Sequence, residues 1–578
     1  MPLFAVKQSV HPECGISNNA ACRRSAGILS LPLDTLIQVL SFANPQDIIA
    51  LRKTCRALMI ATCQRIVWIN ALRLICAQRG IYTRSFPVKE MSLVQLEHAA
   101  TTPFRFTSLL RHSSRSQKSP SPTTAANSTF SSSAHPVAIR LLQPRLPRDF
   151  AGDVGIFESS YLVPGGRFLL TRSSRNLLQV WDLGYSADMM IKPESVASHH
   201  LGDGELQFDP DAQITQDGEG LLVFLASENV FRIFEVYPLS ESPSFRKVAS
   251  IDVVLGGRCV YVFTSTLIIF YMNRRLTVWD YVEDNIVSWT IRSAQVWDIA
   301  VSNSHVTLLD QGGFSIYKIP PMRPRTQVYQ APPQAYVSPQ VPLLSVQYPI
   351  SSVVKVADNW SWYTSVNDNR PVHFDVLGVG LPIASPEAVS SSGSSYIYSL
   401  NNPSYSDPDV VDSDSLDDDN TGTNGGEALI IARYTLKKVK NHPRDGLPEY
   451  MPVLVEHVRL GGHLQPNVDN ARSIRTGSRD LVLMWPSMQG KKLLVYYSDL
   501  EGSGQTTGDV PSTDGTPDRH DSDEVRPPRT RPRPRIASLE ISGMFSGEVI
   551  CCPFAGRVCS IDEQGTIHVM DYVRPVGS

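Results

Sequence analysis

A chain of 578 residues, 42% hydrophobic and 19% charged, has apolar material for a sizeable core and length for two to four domains. Its formal net charge of −3 gives no global reason to expect nucleic acid or an anionic membrane surface as a partner. No apolar run approaches the roughly 18 residues of a membrane-spanning helix, and the opening MPLFAVKQSVHPECG lacks the continuous apolar stretch of a secretory signal.

The nine cysteines are Cys14, Cys22, Cys55, Cys63, Cys76, Cys259, Cys551, Cys552 and Cys559. The count is odd, the chain is long, and several cysteines fall in apolar segments, where free thiols are usually found. No paired C-x-x-C motif or Cys/His cluster suggests zinc. A reducing compartment, cytoplasmic and/or nuclear, is expected.

Residues 1–28 read as a flexible tail, and residues 29–110 read as helical. The first helix is expected to start at Pro32, which suits a first turn whose amides have no intrahelical partner. Asp34 complements the positive end of the helix dipole there. Leu33, Leu36, Ile37 and Leu40 follow the i, i+3, i+4, i+7 rule and make one apolar stripe. Leu31 and Val39 add apolar surface outside that stripe. The second helix has Asn44 as a cap, Pro45 at its first position and Asp47 in its first turn. Its expected apolar face is Ile48, Leu51, Cys55 and Leu58. A third helix carries Trp68, Leu72, Ile75 and Cys76 and is expected to end at Gly80.

The stretch LPLDTLIQVLSFANPQDIIALRKTCRALMIATCQRIVW resembles an F-box. The matching positions are Leu31, Pro32, Asp34, Leu36, Ile37, Phe42, Pro45, Asp47, Leu51, Cys55, Arg56 and Trp68. Ala43 departs from the pattern, which usually has leucine there. The resemblance implies docking to the Skp-type adaptor of a cullin-RING (SCF-type) ubiquitin ligase. By the same resemblance, Leu31, Pro32, Leu36, Ile37, Val39, Leu40, Ile48, Ile49 and Leu51 would supply most of the adaptor contact. A helical hairpin buried against the rest of the chain is the alternative use of the same side chains.

Residues 111–136 include SSRSQKSPSPTTAANSTFSSSAH, which is Ser/Thr-rich and too poor in large apolar side chains to fold, so they are expected to be a linker. Residues 137–578 change texture. Short runs of Val, Ile, Leu, Phe and Tyr alternate with Gly, Asn, Asp and Pro, the pattern of many short strands. Insertions are expected at about 403–427 and 501–535.

Within this region, strand-like lines end in an aromatic or apolar residue followed, in most of them, by an acid. They fall at Trp181-Asp182, Phe234-Glu235, Trp279-Asp280, Tyr317-Lys318, Phe374-Asp375, Tyr434, Tyr496 and Met570-Asp571. Their spacing runs from 38 to 62 residues, and 74 for the last, against the ~40–45 of a four-stranded blade. The region resembles a WD-repeat β-propeller with degenerate blades; Gly462-His463 is the one Gly-His pair of that family's signature. The expected fold class is therefore α+β multidomain: an N-terminal three-helix F-box followed by an all-β propeller of seven or eight degenerate blades. VAIRLL at 137–142 could supply the outer strand missing after the last line. In that family the Trp and Asp of each line are structural.

No catalytic pattern stands out: there is no G-x-S-x-G, no phosphate-cradling glycine loop and no H-E-x-x-H. His199-His200 lacks further ligands at metal spacing and reads as a surface or turn pair. The acidic run Asp407–Asp419 has neither the sixth-position Gly nor the twelfth-position Glu of a calcium loop, though Ser413 and Ser415 could be phosphoacceptors. Arg526, Arg529, Arg531, Arg533 and Arg535 alternate with prolines and read as extended polyproline II, without the aromatics of a nucleic-acid groove. No cofactor, metal or membrane is called for. The expected function is the substrate-recognition subunit of the ligase, not an enzyme, with an unknown protein target on the propeller. The alternative is a non-catalytic interaction scaffold with no ubiquitin role.

Overall fold

The computed structural model describes residues 27–115, 135–142 and, with interruptions, 155–574. The main interruptions are 326–339, 358–371, 381–427, 439–449, 460–471 and 498–534. Residues 1–26, the acidic run at 407–419, Gly462-His463 and the Arg/Pro run before Arg535 lie outside the described residues. The chain divides into two compact units, Met1–Ala71 and Leu72–Ser578.

The first unit holds α1 (Leu33–Leu40), α2 (Pro45–Arg52), α3 (Arg56–Thr62) and the start of α4 (Arg65–Arg79). Pro32 is the cap before α1, not its first residue, and Asp34 lies in the first turn. Pro45 opens α2 behind an extended Asn44, as its punctuation predicts. The second expected helix is in fact two. Helix α2 stops at Arg52, and the Thr54 hydroxyl donates to the Leu51 carbonyl at 2.8 Å. A hydroxyl that bonds back to the helix end competes with helix continuation. Cys55 is extended, with φ −157°, and caps α3. Helix α3 packs on both α1 and α2. The closing Trp68 is fully buried; its Nε1 donates to the Thr62 carbonyl at 2.8 Å, and the Arg52 guanidinium lies over its ring.

The second unit begins within α4, which Gly80 ends in the left-handed region at φ 60°. Helix α5 (Leu93–Arg115) starts with a capping box: the Gln95 amide donates to Ser92 Oγ and the Ser92 amide to Gln95 Oε1. It runs to Arg115, into the stretch expected as linker.

The β-rich part consists of seven antiparallel sheets among the described residues. Strand β1 (Ala138–Leu142) belongs to the last of them. Sheet I is β2 (Phe157–Leu162), β3 (Phe168–Ser173), β4 (Leu177–Asp182) and β5 (Ala197–His200). Sheet II is β6 (Asp211–Ile214), β7 (Leu221–Ala226), β8 (Val230–Val236) and β9 (Arg246–Asp252). Sheet III is β10 (Val260–Phe263), β11 (Leu267–Met272), β12 (Arg275–Asp280) and β13 (Asn285–Thr290). Sheet IV opens with β14 (Val296–Ser302), β15 (His305–Asp310) and β16 (Gly313–Lys318). Strand β17 (Arg323–Pro324) then returns to sheet III as a fifth strand, and β18 (Leu344–Gln347) completes sheet IV. Sheet V is β19 (Ser352–Ala357), β20 (Val372–Gly380), β21 (Ala428–Lys438) and β22 (Tyr450–Arg459). Sheet VI is β23 (Arg472–Arg475), β24 (Asp480–Ser487), β25 (Gly490–Tyr497) and β26 (Arg535–Ile541). Sheet VII is β27 (Val549–Cys552), β28 (Arg557–Ile561) and β29 (Ile567–Asp571), with β1 outermost against β29.

First strands of neighbouring sheets lie together: β27 with β2, β6 with β10, β10 with β14, β14 with β19 and β19 with β23. The eight expected lines fall on seven sheets, because Phe374 on β20 and Tyr434 on β21 are register partners in one sheet. The pairing of β1 with β29 is the one that VAIRLL suggested.

Sheets I to IV pack on one another, so their middle strands lose the alternation of a half-buried strand. Strand β7, LLVFLA, is buried at every position. Sheets I and II share a core of Phe168, Leu170, Val180, Leu221 and Val223, and sheets II and III share Phe224, Phe231, Phe263, Phe270 and Trp279. Each such side chain contributes about 1.5–3 kcal/mol by leaving water. Trp181 Nε1 donates to Thr171 Oγ1 at 2.9 Å, and Asp280 accepts the Val282 and Glu283 amides in a tight turn. Both residues of the signature dipeptide are therefore occupied structurally here.

Candidate partner-binding face

Several chemistry-bearing side chains lie among the described residues. Among them no three His, Cys, Asp or Glu side chains gather as a metal cluster, and no single helix is long and apolar enough to cross a membrane. The His199 ring packs tilted against Phe234 with centroids 4.9 Å apart, while His200 Nδ1 accepts the Gly202 amide. The seven described cysteines are free, and burial pushes the Cys76 thiol up to about 12, far from a thiolate at neutral pH.

What the first unit offers is an apolar surface on and around α1. The nine residues expected to touch an adaptor divide by burial. Leu36, Leu40 and Ile48 face inward, with Ile48 at 0% exposure. Leu31, Pro32 and Val39 are exposed, while Ile37, Ile49 and Leu51 are half-buried. Around α1, four large side chains outside the expected nine join the exposed set: Ile28 and Leu29 in the turn before the helix, Leu33, and Phe42, the last 80% exposed. Phe42 was readable as a motif position, and Leu33 was hidden because it fits the same periodic stripe as the inward Leu36 and Leu40.

The physical basis of the split is helical geometry. Leu36 and Leu40 lie four residues apart on the side of α1 that meets α3, and Val39 lies on another side. Helix α1 ends at Ser41, whose hydroxyl donates to the Gln38 carbonyl at 2.7 Å, so Phe42 leaves the helix in a turn with its ring in solvent. Exposed large apolar residues that cluster on one short helix and its flanks mark an interaction surface more often than scattered ones do.

In the second unit, polar side chains brace neighbouring strands within a sheet, here β3 and β4 of sheet I. Arg167 makes a bidentate pair with Asp182, at 2.9 and 2.8 Å. Burial pushes the Asp211 carboxyl on β6 up to about 7, with the Ala212 amide opposing that shift.

Residues 28–73 match the F-box-like family model. No curated protein matches the sequence. Among solved structures, the β-propeller domain of Cps50 (Swd1) from Myceliophteria thermophila is similar at 9% identity, over 73% of this chain and 99% of that one, with a TM-score of 0.35. Hsv2 from Kluyveromyces lactis is similar at 11% identity, over 61% of this chain and 86% of that one, with a TM-score of 0.29. The helical punctuation, the buried Trp68 and the matched span agree: residues 28–73 match the F-box-like family, and a β-rich region of antiparallel, mostly four-stranded sheets follows them in this chain.

Proposed function

We propose that this chain is the substrate-recognition subunit of a cullin-RING, SCF-type ubiquitin ligase. The F-box-like domain docks on a Skp-type adaptor, and the β-rich region, in the manner of a seven-bladed propeller, holds a target protein. The observation that carries this reading is the exposed apolar set at Leu31, Leu33, Val39 and Phe42 within the span that matches the F-box-like family. Covering each of these side chains contributes ~1.5–3 kcal/mol, enough in sum to offset the entropic cost of association. Pro32, Ile37, Ile49 and Leu51 border the contact, and Leu36, Leu40 and Ile48 hold its shape from inside.

The chain itself breaks and forms no bonds in this reading. It raises the effective concentration of a target lysine near a conjugating enzyme carried by other subunits. The test is capture of purified adaptor and cullin by the full-length protein, wild type against Val39→Glu and Phe42→Asp. The wild type should retain both partners and the variants should lose them while keeping their helical content. Failure of the wild type to hold the adaptor removes the reading. Capture of the adaptor without ubiquitin transfer to any bound protein turns it into a scaffold.

A further inference from the structure

Sheet VII is built from both ends of the described β-region, and its outer strand is anchored weakly by apolar contact. Of the five residues of β1, Leu142 alone is buried; Ile139 and Leu141 are 60% and 58% exposed. The ladder to β29 runs from Ala138 opposite Asp571 to Leu142 opposite Ile567. A five-residue edge strand with one buried side chain is marginal by itself.

One side chain supplies the difference. Arg140 Nε and Nη2 donate to Asp571 Oδ2 at 3.2 and 2.8 Å. Its Nη1 donates to the Leu183 and Met189 carbonyls, in the connection between β4 and β5, at 2.8 and 2.9 Å. The other carboxylate oxygen is taken from the opposite side. Arg557 Nε donates to Asp571 Oδ1 at 2.7 Å, and its Nη1 reaches the Gly184 carbonyl at 2.8 Å and the Gly166 carbonyl. Arg557 is 2% exposed, so it cannot exchange these partners for water. Arg140 stands nearer the surface and can. Helix α5 covers the same seam, with Phe106 edge-on to Tyr572 at 6.2 Å.

We infer that Arg140 is a latch: it sets how often β1 lifts off β29, independently of the unfolding of the remaining sheets. Arg557 and Asp571 form the fixed half, because breaking their pair leaves a buried charge without a partner. Arg140 is the movable half, since its guanidinium is released toward solvent and leaves Asp571 still held by Arg557. Opening therefore frees one strand at the junction of sheets VII and I and leaves the inner strands paired.

The test is amide hydrogen exchange on the full-length protein, wild type against Arg140→Ala and Arg140→Lys. Protection of residues 138–142 should fall about tenfold or more in Arg140→Ala. It should fall less in Arg140→Lys, which keeps the charge but not the fork of donors. Protection of β11 and β12 should not move in either variant. Unchanged protection at 138–142 overturns the inference, and so does an equal loss in sheets II to IV. Should Arg140→Ala fail to fold, Arg140→Lys is read against the same two outcomes. Asp571→Asn is the contrast: it should lower protection through all of sheet VII.

Discussion

The Tyr82 hydroxyl donates to the Glu219 backbone carbonyl at 2.6 Å, joining residues 137 positions apart. The ring is fully buried in the core shared by sheets I and II, against Phe168 at 5.9 Å. Its amide donates to the Pro164 carbonyl, and the next-but-one residue, Arg84, pairs with the Glu219 side chain. The segment after α4 is thus part of the β-rich unit's own core. Tyr82→Phe should cost about 1 kcal/mol, the net value of one hydrogen bond. Tyr82→Ala should cost ~3–5 kcal/mol through the cavity it leaves. Denaturant unfolding of the full chain measures both, and unchanged stability in Tyr82→Phe would contradict the assigned bond.

The same packing predicts where the chain can be cut. A chain starting at residue 72 keeps Tyr82 and Phe106; one starting at residue 111 exposes Phe168 and Tyr572 to water. The longer piece should be soluble with a cooperative melt. The shorter one should aggregate or melt at clearly lower temperature. Equal melting of the two would show that the helical segment contributes nothing to the sheets.

Within the F-box-like domain, burial separates two kinds of substitution. Ile48→Ala, at 0% exposure, should destabilise the domain by about 2–5 kcal/mol. Phe42→Ala, at 80% exposure, should change stability by no more than ~0.5 kcal/mol. Circular dichroism melts of the two variants check this, and only Phe42→Ala should weaken adaptor capture without loss of fold.

Asp211 predicts a pH dependence. Its carboxyl is raised from 3.8 to about 7 by burial, so between those values the folded state holds a proton that the unfolded state has released. Stability should therefore fall as pH rises from ~4 to ~7 and stay lower above. Asp211→Asn keeps an oxygen for the Ala212 amide and removes the titration. The variant should melt higher than wild type at pH 8 and about equally at pH 4. A wild-type advantage at pH 8 would mean that the ionised carboxylate has a stabilising partner.

The β11–β12 hairpin turns through Asn273 and Arg274, both left-handed, at φ 51° and 59°. Such a two-residue turn favours Asn-Gly, and an arginine there carries the steric cost of its Cβ, ~1–2 kcal/mol. Arg274 is exposed. Arg274→Gly should raise the thermal midpoint by a degree or more, read by calorimetry.

Much of this was written in the chain locally. Helix starts and stops follow from Pro45, Asp47 and Gly80, because caps act through backbone groups within a few residues. The F-box-like span and the strand-rich texture after it are equally local. The Ser92–Gln95 capping box was available in the same way, as S-x-x-Q before an apolar run. Periodicity grouped Leu33, Leu36 and Leu40 in one stripe, yet Leu33 faces solvent while the other two are buried. A helix's period says which residues share a side and leaves open which side meets a neighbour.

Sheet membership and the seam depended on contacts that no local pattern encodes. Phe374 and Tyr434 look like two repeats in sequence, and pairing across a long insertion makes them one. Tyr82 looks like the residue after a helix, and a core built by strands more than eighty residues later encloses it. Arg140, Asp571 and Arg557 meet only when the two ends of the β-region share a sheet. Local free energies of capping and propensity are fixed by neighbours along the chain. The choice of which apolar surfaces cover each other is made by the whole fold at once, through the water that each arrangement excludes.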